Sequence, residues 1–158
     1  MSLTTEQATL VAADIIASPD LDAVPKTLDG AYAIAAMYNE TAAPDYIVWL
    51  PNVDPNHILE NGMVWSDLKN LSSGQISIWT MMTAKGYINA TKTNERDGLD
   101  EAFGKNSATV SGLQKHLKGP ATRLQKLLAT GPGTDLEPST SSFVGTVNYR
   151  DIYAATGW

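Results

Sequence analysis

Proline and glycine cut this sequence into pieces too short for any long regular element. Eight prolines and twelve glycines stand among 158 residues. Many mark breaks: Ser18-Pro19, Pro44 and Pro51, Asp54-Pro55, Gly119-Pro120 and Gly131-Pro132-Gly133. Proline lacks a backbone N–H and pushes the residue before it away from helical geometry, and glycine readily takes the conformation that ends a helix. A chain punctuated this way is confined to short helices and strands, read between the breaks.

Between them the apolar spacing is mostly helical. Thr4 followed by Gln7 has the form of a capping box, and Ala8, Val11, Ala12 and Ile15 recur at helical spacing, so the pattern predicts a helix over 5–17. Asp29 stands where an N-cap would before "GAYAIAAMYN", with Ala31, Ile34, Ala35 and Tyr38 on one stripe and Asn39 at its C-terminal end. Residues 46–50, β-branched and aromatic, read as one extended segment between Pro44 and Pro51. Asp54, Pro55 and Gly62 punctuate a short helix. Ser72 or Ser73 caps "GQISIWTMMTAKG", apolar nearly all round, which predicts the central helix of the core. "TKTNERDGLDEAFG" predicts a shorter helix weakened by Gly98, and Ser107 opens another through Leu113 and Leu117. Gly119-Pro120 breaks or kinks that segment, which resumes with Ala121, Leu124, Leu127 and Leu128 while Lys118, Arg123 and Lys126 share its exposed side.

From 131 to 142 the composition turns to Gly, Pro, Ser and Thr without periodicity, as in a flexible linker. Beyond it Phe143, Gly145, Val147 and Tyr149 alternate with Val144, Thr146 and Asn148. The expected architecture is therefore mainly α: a compact helical domain over 1–130 with a short extended segment, a linker over 131–142, and an extended interaction tail over 143–158 suited to forming β structure.

Several function classes fall away. Apolar residues make up 43% and charged residues 18%, an ordinary globular balance. There is no cysteine, which excludes disulfides, thiolate metal sites and cysteine nucleophiles, and His57 and His116 stand in no metal-ligand spacing. The N-terminus lacks a basic and then apolar leader, and no apolar run reaches the length of a membrane span, so the expectation is a soluble chain made in a cytoplasm, with no membrane partner. No nucleophile elbow, phosphate loop or dinucleotide fingerprint occurs. Asp97, Asp100 and Glu101 read as a solvated helix face, and Ser72-Ser73-Gly74 as a cap. The expectation is a non-enzyme without catalytic residues, metal or cofactor.

Charge is distributed unevenly along the chain. Residues 1–84 carry ten acids and two bases, and residues 85–158 nine bases and seven acids. Copies with that asymmetry can pack head to tail. The net charge of −6 opposes nucleic acid, whose contact with the basic helix is at most peripheral. Lys118, Arg123 and Lys126 are therefore candidate protein-interface residues, as are Phe143, Val147, Tyr149, Ile152, Tyr153 and Trp158 of the tail, whose aromatics are typical interface anchors.

"DGAYAIAAMYN", "LSSGQISIWTMM", "ATRLQKLLATG" and "FVGTVNYRDI" together resemble small virion structural proteins of tailed bacteriophages. Among these the chain is similar to head-to-tail adaptors, also called head-completion or connector proteins. The resemblance implies a helical domain in a ring beneath the portal protein, with the C-terminal segment inserted between portal subunits. Its implied partners are the portal protein, copies of itself and other neck or tail proteins, and its implied location is the virion neck, after assembly in the bacterial cytoplasm. The alternatives are a tail-terminator or tail-completion protein, or a regulatory or host-interacting phage protein that never enters the particle.

Overall fold

The computed structural model describes residues 2–104 and 107–158. The described chain is mainly helical, in the order α1 (Thr5–Ala17), α2 (Pro19–Asp22), α3 (Leu28–Asn39), β1 (Ile47–Trp49), α4 (Pro55–Asn61), α5 (Trp65–Leu68), α6 (Ser73–Thr83), α7 (Thr93–Phe103), α8 (Ala108–His116), β2 (Lys118–Pro120), α9 (Arg123–Leu127), β3 (Ala129–Thr130), β4 (Thr140–Ser141) and α10 (Tyr149–Thr156). β1 pairs with β2 and β3 with β4, the latter antiparallel with Ala129 opposite Ser141. None of the described helices is long and apolar enough to cross a membrane.

The chain divides into two compact units, one made of Met1–Val48 with Pro120–Trp158 and the other of Trp49–Gly119. In the first, α1 starts on the expected capping box: the Gln7 amide donates to the Thr4 hydroxyl at 3.2 Å, and the Thr4 amide to the Gln7 side chain at 2.9 Å. Its core joins Val11 and Ile15 of α1, Ile34 and Tyr38 of α3, and Leu124 of α9 with Phe143, Val147 and Ile152 from the far end of the chain. α10 packs against both α1 and α3.

The three-part division into domain, linker and tail thus gives way to a different one. Residues 143–158 close the first core, and past Val147 they form helix α10 instead of a strand. Asn148 caps α10, its side chain accepting the Arg150 and Asp151 amides at 2.8 and 3.3 Å while Asp151 accepts the Asn148 amide at 3.1 Å. Ahead of the helix, Asn39 holds the backbone of Val147 from both sides, donating to its carbonyl at 2.8 Å and accepting from its amide at 3.0 Å. Gln7 donates to the Ser142 carbonyl at 3.0 Å.

The expected linker is likewise stitched down. Ile47 donates to the Gly133 carbonyl at 2.8 Å, Ser139 to the Ile47 carbonyl at 2.9 Å, and the Tyr46 hydroxyl to the Gly131 carbonyl at 2.7 Å. Gly133 has φ +67, and a Cβ there would sit 2.2 Å from the Tyr46 ring, so only glycine fits beneath it.

In the second unit, Asp54, Pro55 and Gly62 bound α4 as expected, and Ser107 caps α8. α4 and α8 approach so closely that a Cβ on Gly112 would lie 2.6 Å from the Gly62 carbonyl oxygen. Ile58, Ile88, Leu99, Phe103, Val110 and Leu113 form the core.

Two further expectations change. α6 is not the central helix: none of its residues is buried, because only Ile78, Trp79 and Met82 turn toward the core. α3 is capped by Thr27, whose hydroxyl accepts the Gly30 amide at 3.2 Å, and Asp29 lies inside it. The segment opened by Ser107 breaks at Gly119-Pro120, with α8 before β2 and α9 after it, because Pro120 supplies no amide to continue a helical ladder.

Candidate interaction cleft

Arg123 and Lys126 line a cleft of about 510 Å³ in the first unit, within the usual range of ligand pockets. Its walls come from the end of α1, from α2, from the C-terminal turn of α3 with the loop after it, and from α9. Ser18-Pro19 positions one wall by ending α1 and opening α2, which sets Asp20 in a first turn. Thr122 positions the other: its hydroxyl accepts the Gln125 amide at 3.2 Å, and Gln125 returns a contact to the Thr122 amide at 2.9 Å. The walls are tied by backbone bonds from Ala42 to the Ala121 carbonyl and from Arg123 to the Glu40 carbonyl, both 2.9 Å.

The cleft lining mixes charges of both signs with the apolar side chains of Met37 and Leu127. The Arg123 guanidinium donates to both carboxylate oxygens of Asp20, one contact being 3.1 Å. That bond holds the Asp20 carboxyl below the usual range and raises Arg123. The Arg123 guanidinium also lies 5.8 Å from the Tyr38 ring centroid. Burial, and then the 2.8 Å hydrogen bond from its hydroxyl to Asp14, push the Tyr38 phenol well above the ordinary tyrosine range. Asp14 also accepts from the Ser18 hydroxyl at 3.1 Å. Lys126 donates to the Pro44 carbonyl at 3.2 Å and sits 5.7 Å over the Tyr46 ring.

Ion pairs this exposed contribute little, because water screens them and ordering the side chains costs entropy. Their chemical capacity is exchange: a carboxylate or ammonium from another molecule can replace the internal partner at little cost. Among the described residues no three His, Asp or Glu side chains converge as a metal centre would.

The nine residues singled out from sequence are dispersed. Arg123 and Lys126 meet in the cleft, but Lys118 lies in β2 and not on their helix. Phe143, Val147 and Ile152 are buried and spent on the chain's own core. Tyr149 stacks on Tyr32 at 4.1 Å, and Trp158 is partly buried against the same core. Tyr153 alone among the tail residues is a large exposed hydrophobic, at 45%. Asp20 of the acidic first half and Arg123 of the basic second half pair inside the chain.

Sequence reasoning missed Asp14, Asp20 and Glu40 as cleft residues; the acidic bias of the first half was their only signal. It also missed the approach of His57 to His116, whose rings lie edge to face at 4.9 Å in the second unit. A smaller cavity of about 250 Å³ in that unit is lined by Arg96, Asp97 and Asp100. There Arg96 stacks on Trp49 at 4.8 Å and burial lowers its pKa. No protein-family model matches the chain, and neither does any curated protein or solved structure.

Proposed function

We propose that this chain is a non-enzymatic structural subunit of a tailed-phage neck, an adaptor that joins the portal to the tail in a ring of its own copies. The phage assignment comes from the sequence resemblance. The observation that favours an assembly role is the Arg123–Lys126 cleft, whose lining joins charges of both signs with apolar Met37 and Leu127. Such a cleft suits an extended segment of a neighbouring protein, whose charged side chains exchange with the exposed Asp20–Arg123 pair while its apolar ones rest on Met37 and Leu127. This replaces insertion of residues 143–158 into the portal, since Phe143, Val147 and Ile152 are occupied in the first core.

Quantitative mass spectrometry of purified virions tests the reading. A copy number equal to the portal protein's is expected for the wild type, and a loss of incorporation for Arg123→Glu with Lys126→Glu. A copy number matching the tail proteins would move the chain to tail completion, and absence from the particle would overturn every virion role.

A further inference from the structure

We propose that Tyr32 and Tyr149 form an oxidative cross-linking site, where one-electron oxidation of both phenols joins the rings as dityrosine and staples α10 to α3. The inference stands apart from the neck reading, because the two rings meet within the first unit whatever the chain assembles with.

Geometry singles the pair out. Tyr32 of α3 and Tyr149 at the start of α10 are more than a hundred positions apart, yet their rings stack with centroids 4.1 Å apart and planes 23° from parallel. Among the described residues no other two of the six tyrosines stack. The approach does not depend on the rings themselves. Asn39 at the end of α3 holds the Val147 backbone, Asn148 caps α10, and Ile152 is fully buried in the first core. Tyr32 is 51% exposed and Tyr149 half-buried, so an oxidant reaches the pair from solvent.

The chemistry needs two adjacent phenols and no other residue. Each phenol gives up one electron and one proton to become a phenoxyl radical, with spin on the oxygen and on the ring carbons ortho and para to it. The para carbon carries the rest of the side chain, so the radicals couple through ortho carbons. The new C–C bond forms, each ortho hydrogen moves to its ring's oxygen, and both phenols are restored. Hydrogen peroxide, activated by a haem peroxidase, takes up the two electrons and two protons and leaves as two waters. Holding the rings together spares the second radical a search for its partner. Arg150 donates to the Tyr149 oxygen at 3.0 Å and holds that phenol below the ordinary tyrosine range, which eases loss of the proton that accompanies the electron. In a chain without cysteine, the bond closes a loop over most of the sequence, which disfavours the unfolded chain as a disulfide would.

Peroxidase and hydrogen peroxide on the dilute whole chain test this, with dityrosine fluorescence, intact mass and peptide mapping as readouts. The expected product is a monomer lighter by two hydrogens, whose mapped cross-link joins Tyr32 to Tyr149 in a yield unchanged by further dilution. Tyr32→Phe and Tyr149→Phe keep a ring in the stack and should each lower the monomeric product at least about tenfold with circular dichroism unchanged. Tyr153→Phe, which removes a 45% exposed tyrosine one turn further along α10, should leave it intact. Absence of dityrosine, dityrosine confined to linked dimers, a cross-link mapped to Tyr87 or Tyr153, or a full yield from Tyr32→Phe would overturn the proposal.

Discussion

The first unit is built from both ends of the chain and carries all of its net charge; the second is one continuous stretch and is neutral. The first closes its core with residues more than a hundred positions from α1, so it needs its C-terminus to exist. The second completes its core from residues 49–119 and leaves an uncharged helix facing outward. Closing a core over distance places structural dependence where a terminal segment would otherwise be free.

The sharpest way to break this contrast is to remove a side chain from the far end. Phe143→Ala should destabilise the first unit by about 3–5 kcal/mol, the cost of truncating a buried aromatic. Chemical denaturation reads the magnitude, and hydrogen exchange should locate the loss over 1–48 and 120–158. Leu113→Ala is the matching change in the second unit. It should cost about 2–4 kcal/mol, with faster exchange confined to 49–119; spread into α1 and α3 would erase the distinction between the units.

Tyr38→Phe is expected to cost about 1.5 kcal/mol, the contribution of a hydrogen bond to a charged acceptor. Because the folded phenol titrates above its ordinary value of 10.0, its contribution is complete below about pH 10 and is lost as pH rises further. The stability gap between wild type and Tyr38→Phe should therefore narrow in alkali, as denaturation at several pH values will show. Asp20→Asn should have the smallest effect near neutrality. The folded Asp20 carboxyl titrates below its usual range, so its pairing with Arg123 stabilises at neutral pH and is lost as pH falls through that lowered value. The difference between Asp20→Asn and wild type should disappear in acid; a constant difference would mean that the pair contributes through packing alone.

Local signals predicted local structure well. The Thr4–Gln7 box, Asp54-Pro55, Ser72 and Ser107 each start the helix they announce, because a cap is settled by neighbours three residues away. The alternation over 143–149 misled because a strand-like pattern leads into a helix capped by Asn148 and Asp151, a box in which Asp replaces the usual Glu or Gln. α6 misled because apolar residues on every side do not reveal which side meets a neighbour. In the cleft, Arg123 and Lys126 were visible as cations of one short helix. Their partners, Asp20 in α2 and Pro44 in the loop after α3, come from distant parts of the chain, which no periodicity connects to them.

The claim that the C-terminal segment is core is tested most directly by hydrogen exchange of the backbone amides of α10 against those of α3. Matched protection of Ile152 and Ile34, both lost together in Phe143→Ala, is the expected result. Free-peptide exchange over 149–156 beside a protected α3 would contradict it and return residues 143–158 to the role of a free tail.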